Sequence, residues 1–185
     1  MMSTRIAVFV AGVGLLLGHP GAAQRGSGDE ARRDAYFRGV AEFFEVPLRE
    51  VEILAEWDLP VGEIPVVLFV KDQSGISAEA LMALRRTGTR WTELAARYNV
   101  SAAAFHVPLP PGEPGGVLAR AYTEFRSRPV GDWGAMDLGD TDVIALVNLR
   151  MMTRVLRRSS AEVLEAMGRF DSYADVYDHL VRSAR

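Results

Sequence analysis

Four arginines, Arg150, Arg154, Arg157 and Arg158, are the side chains whose type and spacing give this sequence its most pronounced candidate for binding chemistry. On a helix turning about 100° per residue they fall within roughly 100° of one another, on one face. A cationic strip of this kind takes phosphate, anionic lipid or an acidic polymer. Arg126 precedes it in the chain beside Tyr122, and the six residues Arg150, Arg154, Arg157, Arg158, Arg126 and Tyr122 make up the candidate binding set. Residues 119–158 carry seven basic and five acidic side chains, whereas residues 24–70 carry five basic and ten acidic ones. The arginines therefore either meet an acidic partner from outside or pair with the protein's own acidic first third.

Catalytic and metal chemistry find less support. The chain of 185 residues has no cysteine, which excludes thiol enzymes, disulfide scaffolds and cysteine-ligated metal centres. His106 and His179 are the histidines beyond residue 23. His179 follows Asp171, Asp175 and Asp178 along one helical face, a set that could hold a cation but that equally describes an acidic, solvated face. Asp137, Asp140 and Asp142 lack calcium-loop spacing, and helix capping accounts for Asp140 and Asp142. No Gly-x-Ser-x-Gly elbow, phosphate loop or His-Glu-x-x-His helix occurs. No catalytic, cofactor-binding or metal residue is assigned and no cofactor is expected. The alternative is a helical enzyme using clustered carboxylates as acid and base. A cleft gathering Asp or Glu beside His106 or His179 favours that alternative, and an exposed apolar patch rimmed by arginines favours a binder.

Residues 90–107 (RWTELAARYNVSAAAFHV) resemble a helix-turn-helix, which raises a nucleic-acid binder as a second alternative. The second helix would be Ala102, Ala103, Ala104 and Phe105, closed by Pro108, and offers no hydrogen-bonding side chain to a base edge. No nucleic-acid partner is expected. Trp91, Leu94 and Tyr98 are read as core residues instead.

These side chains need helices to place them. Tyr36, Phe37, Val40, Phe43 and Phe44 recur at three- and four-residue steps, the helix period. Residues 64–70 (IPVVLFV) taken alone suit a buried strand as well as a helix, but no second convincing strand exists to satisfy its backbone. Residues 118–128 suit a helix and 129–139 a loop. Asp140 is expected to cap a long helix over 141–158 whose first half, 143–147, is apolar all round. Residues 106–116 hold four prolines and three glycines and break any helix.

An internal repeat organises the helices. A shift of thirty residues lays Pro47 on Ser77, Val51 on Leu81, Leu54 on Leu84, Glu63 on Glu93 and Ile64 on Leu94. A third copy lays Ser160 on Ser77, Glu162 on Glu79, Leu164 on Leu81 and Met167 on Leu84; after a one-residue deletion, Asp175 and Val176 fall on Glu93 and Leu94. Each copy reads as a short helix opened by Ser or Pro, a break, and a second helix with an acid in its first turns. The fold expected is all-α, a bundle of seven to nine short helices built from three related hairpins, with a Pro/Gly-rich connecting loop.

Residues 1–23 read as a signal peptide. Arg5 precedes thirteen uncharged residues, 6–18, and Gly21-Ala22-Ala23 supplies small residues at the cleavage position. Thirteen residues are too few for a membrane span, which needs about 20. A flexible leader over 24–33 and one helical domain over 34–185 are expected to follow. The product would be exported, periplasmic or secreted, with no transmembrane span in the mature chain.

Several stretches together resemble a family of small exported bacterial helical proteins of unknown function. They are residues 63–70 (EIPVVLFV), 84–88 (LRRTG), Trp91, 105–109 (FHVPL), Ala121-Tyr122, Phe125-Arg126 and 142–149 (DVIALVNL). The similarity spans roughly 37–180, with residues 110–116 standing where the family has a longer Gly- and Tyr-rich link. The resemblance implies export and helical content and brings no activity, substrate or site residue. The function expected is a non-enzymatic interaction module of the periplasm or envelope, binding a protein or an anionic polymer.

Overall fold

Apolar residues spaced for helices, separated by prolines, glycines and caps, fold into an all-α structure. The computed structural model describes the backbone of residues 21–183 and the side chains of residues 26–183. Among the described residues there are ten α-helices, three 3-10 turns and no strand, more helices than the seven to nine expected. They are α1 (Gly21–Phe44), α2 (Leu48–Glu56), α3 (Ile64–Ser74), α4 (Ala78–Arg85), α5 (Trp91–Arg97), α6 (Ala102–Phe105), α7 (Ala119–Ser127), α8 (Asp140–Leu156), α9 (Ser160–Met167) and α10 (Tyr173–Arg182). The 3-10 turns are Val61–Glu63, Gly116–Leu118 and Val130–Ala135.

Helix α8 is the central pillar, packed against α1, α3, α5, α6, α9 and α10. Val143, Leu146, Val147, Leu149, Met151 and Met152 are fully or almost fully buried along it, which is why its sequence is apolar around most of its circumference. Helix α3 is likewise buried over Ile64–Val70. It packs beside α8, so a β-branched run becomes a helix wrapped on all sides by other helices. Pro65 sits in its first turn, where a missing N–H costs nothing, and Gly75, at φ 73°, ends it in a left-handed cap.

Helix α1 carries Tyr36, Phe37 and Val40 inward and lies against α10, α2 and α8. Its helical turns begin at Gly21, so residues 24–33, expected as a flexible leader, are helix. Arg32 Nε pairs with Asp175 of α10 at 2.7 Å, fastening this first half to the C-terminal helix. The signal-peptide reading of residues 1–23 lies outside the described residues except for the backbone of 21–23.

Three helix pairs, α2/α3, α4/α5 and α9/α10, occupy the stretches read as repeats. Pro47 and Ser77 stand at equivalent positions before their helices. In the third pair Ser159 is the cap, accepting from Glu162 N, so Ser160 lies one residue inside the helix rather than opposite Ser77. Residues 106–115 contain no helix.

Candidate functional site

The arginines of the candidate set divide by what the fold makes of them. Arg150 is half-buried: its Nη2 donates to the carbonyls of Ala104 at 2.8 Å and His106 at 2.7 Å, and its guanidinium lies 4.8 Å above the ring of Phe69. Burial lowers its basicity, and the neighbouring Tyr122 hydroxyl works in the opposite sense. Arg158 donates to Glu162 at 3.0 Å and to the carbonyl of Leu180 at 3.0 Å, tying the start of α9 to the end of α10. Arg126 donates to the carbonyl of Glu113 and lies 5.8 Å over the ring of Tyr122. Tyr122 is buried and donates to the carbonyl of Val107 at 2.6 Å. Burial raises its pKa well above the ordinary tyrosine range.

Arg154 and Arg157 are different. Both are exposed, and neither forms an ion pair among the described residues, where Arg32, Arg49, Arg85, Arg90, Arg120, Arg128, Arg158, Arg169 and Arg182 all meet a carboxylate. Arg157 sits at φ 52°, ψ 42°, the left-handed conformation that ends α8. The strip is therefore helical only through Arg154. The fold brings Arg126, Tyr122 and Arg150 together, leaves Arg154 and Arg157 projecting, and turns Arg158 towards the end of α10.

Asp140 does not cap its own helix. Asp142 takes that task by accepting from Gly139 N at 2.9 Å, while Asp140 Oδ1 accepts from Trp91 N at 2.7 Å and so caps α5, a helix 49 residues earlier. Its Oδ2 accepts from Arg85 Nη1 at 2.7 Å. Arg85 also meets Glu63 through both carboxylate oxygens, at 2.9 and 3.0 Å, and Glu63 accepts from Trp91 Nε1 at 2.9 Å. The hydrogen bonds to Glu63, helped by the charges of Glu63 and Asp140, raise the Arg85 pKa further against the opposing effect of burial. This closed frame of Glu63, Arg85, Asp140 and Trp91 joins the Val61–Glu63 turn that leads into α3 to α4, α5 and α8. The sequence signalled it only through acids at helix starts.

A second polar centre was not anticipated. Asn148 is fully buried, accepts from the Tyr36 hydroxyl at 2.5 Å and donates to the carbonyls of Gly62 at 2.9 Å and Ile144 at 2.8 Å. A lone asparagine in an apolar helix was the available signal, since a buried amide must find partners.

Both histidines pack on aromatic rings. His106 is ringed by Trp133, Phe125 and Tyr122, with centroids 4.3, 4.7 and 6.0 Å away. His179 packs on Phe170 at 5.0 Å. Asp175 is held by Arg32 and Ser172, and Asp178 by Arg182. No group of three or more metal-ligating side chains gathers among the described residues. Ala102 and Phe105, on the second helix of the helix-turn-helix-like stretch, are buried, and Phe105 packs on Phe69 at 5.2 Å.

Clefts of about 560 Å³ beside Glu63, Arg85 and Arg86 and about 550 Å³ between α1 and α2 open on the surface. A cavity of about 210 Å³ between α8, α9 and α10 is lined by Thr141, Asp142, Asp171, Phe170 and Tyr173 among others. A more apolar groove of about 390 Å³ lies over Ile53, Leu54 and Trp57, with both signs of charge on its rim. Val117 and Val130 are the large apolar side chains left exposed among the described residues. Among the described residues no helix is long and apolar enough to cross a membrane. No protein-family model, no curated protein and no solved structure matches the chain.

Proposed function

We propose that the protein is an exported, non-enzymatic module of the periplasm or envelope that binds an acidic protein or anionic polymer, with Arg154 and Arg157 as its contact residues. The observation that carries this reading is that two exposed arginines without an ion pair among the described residues stand three residues apart at the end of α8, whereas Arg38 and Arg97, in the same state, lie on separate helices. An arginine without an internal partner presents its full fork of donors to a phosphate or carboxylate from outside. Arg126 and Arg158 add positive charge while each keeps an internal contact. Export rests on residues 1–23, and mass spectrometry of the N-terminus in the producing cell tests it, cleavage after Ala23 being the outcome expected. The three helix pairs support a further reading as related hairpins, since Val51, Leu81 and Leu164 are all buried at matched positions.

Retention on immobilised polyphosphate and on a sulfated polymer tests the binding reading. The wild-type protein is expected to bind at low salt and elute as salt rises, because the attraction is screened over about 10 Å at 0.1 M ionic strength. Arg154→Gln/Arg157→Gln should elute earlier with unchanged circular dichroism. Identical elution of the two proteins overturns the assignment of these residues.

A further inference from the structure

We propose that His106 is an acid-operated latch: its protonation frees the 106–115 loop and the Val130–Ala135 turn from the core. This inference is independent of the arginine contact surface proposed above. The same side chains that surround the imidazole also fasten the chain around it. Trp133, 4.3 Å from the ring and tilted 42° to it, anchors the Val130–Ala135 turn by donating from Nε1 to the carbonyl of Phe125 at 2.9 Å. Phe125 meets the imidazole edge-on at 4.7 Å. Tyr122 closes the third side and ties down the next residue through Val107 O. Arg150 holds the His106 carbonyl itself. The imidazole packs the loop against the turn through Trp133, so its departure removes the ring contact the two segments share and leaves each held by its remaining hydrogen bonds alone.

The box is built for the neutral ring. No hydrogen bond to the imidazole nitrogens forms within the described residues, so none of them is there to stabilise an added proton. From α8 the charge facing it is Arg150, a like charge to imidazolium; from α7 the titratable groups are Tyr122, neutral, and Arg126, another cation, over the Tyr122 ring. The Val130–Ala135 turn contributes Trp133, which does not titrate, and the carboxylates of Asp132 and Glu113, on that turn and the loop, make no ion pair with the histidine. Burial first, and Arg150 second, hold the His106 pKa below the ordinary histidine value. The aromatic faces attract a cation but do not replace the part of its hydration that the partly buried imidazolium gives up against Trp133, Phe125 and Tyr122. Protons therefore bind more tightly to any open form in which the ring is hydrated, and acid shifts the population towards it.

NMR titration of the His106 Cε1 proton, with hydrogen–deuterium exchange at pH 7.5 and 5.0 corrected for intrinsic rates, tests the latch on the whole protein. The expected midpoint lies below about 6.5. Residues 102–116 and 128–136 should lose protection at the acid pH, in step with the uptake of the proton, while α8 keeps its protection. His106→Phe, which leaves a ring in the box but takes no proton, should hold both segments closed at either pH, and His179→Phe should leave the response intact. A midpoint at or above the ordinary value, protection that does not change with pH in the wild type, or the same loss in His106→Phe overturns the proposal. The wild-type titration and exchange decide the matter even where a variant folds poorly.

Discussion

Asn148 shows how much one buried amide can hold. Its side chain satisfies the Tyr36 hydroxyl of α1, the carbonyl of Gly62 before α3 and a carbonyl of its own helix. Replacing it by alanine opens a void and leaves buried polar partners unsatisfied, each costing about 1–3 kcal/mol. Asn148→Ala is therefore expected to lose about 3 kcal/mol in urea denaturation, and a loss under about 1 kcal/mol would show that water takes over its contacts. Glu63 is comparable. Glu63→Gln keeps the shape but removes the charge that Arg85 grips with two nitrogens, so destabilisation of about 2 kcal/mol is expected by the same measurement. Gly62 is needed for closeness rather than for conformational freedom, because a Cβ there would stand 2.7 Å from Cε2 of Tyr173.

At the scale of the element, caps and termini set where each helix stops. Ser159 and Glu162 cap α9 reciprocally, with Ser159 Oγ accepting from Glu162 N at 3.3 Å and Glu162 accepting from Ser159 N at 2.9 Å. The Ser159 hydrogen bonds hold the Glu162 carboxyl below the usual carboxylate range. Ser159→Ala should cost about 1 kcal/mol of stability, read from the urea midpoint. Arg157 is the opposite case, a residue with a side chain in the left-handed region at φ 52°. Arg157→Gly removes a strain of about 1–2 kcal/mol against a loss of chain entropy of up to about 1 kcal/mol. A thermal midpoint that rises slightly, with weaker retention on polyphosphate, would separate the residue's backbone cost from its part in binding.

For the whole molecule, pH is the informative variable. Tyr36, Tyr173 and Tyr177 pack where α1, α8 and α10 meet, and burial raises the pKa of all three, that of Tyr173 to about 12. Raised values mean that their stabilising contribution is complete below the unfolded value of about 10 and is lost as pH climbs from there through the folded values. The thermal midpoint is thus expected to fall between pH 10 and 12, and Tyr173→Phe, which loses a hydroxyl with no hydrogen-bond partner among the described residues, should flatten that fall. His106 acts at the other end. Its lowered pKa leaves stability intact above about 6.5 and erodes it as pH falls towards the folded value, because the unfolded chain takes up the proton first.

The sequence by itself determined the helical class and most helix positions, since a three-to-four-residue apolar period, Pro and Gly breaks and N-cap residues act locally. It also identified Val143 and Leu146 as core and placed a helix at Ala119–Ser127 close to the expected 118–128. Only the tertiary structure decided which charges are spent. Asp140 looked like the cap of its own helix and instead caps α5; Arg150 looked like surface and is half-buried on Phe69; residues 24–33 looked like a leader and form turns of α1. Each depends on partners far along the chain, and an arginine's spacing on its own helix carries no trace of a carboxylate or carbonyl 22 to 46 residues away. Periodicity records which way a side chain faces. What it meets there is set by how the helices pack.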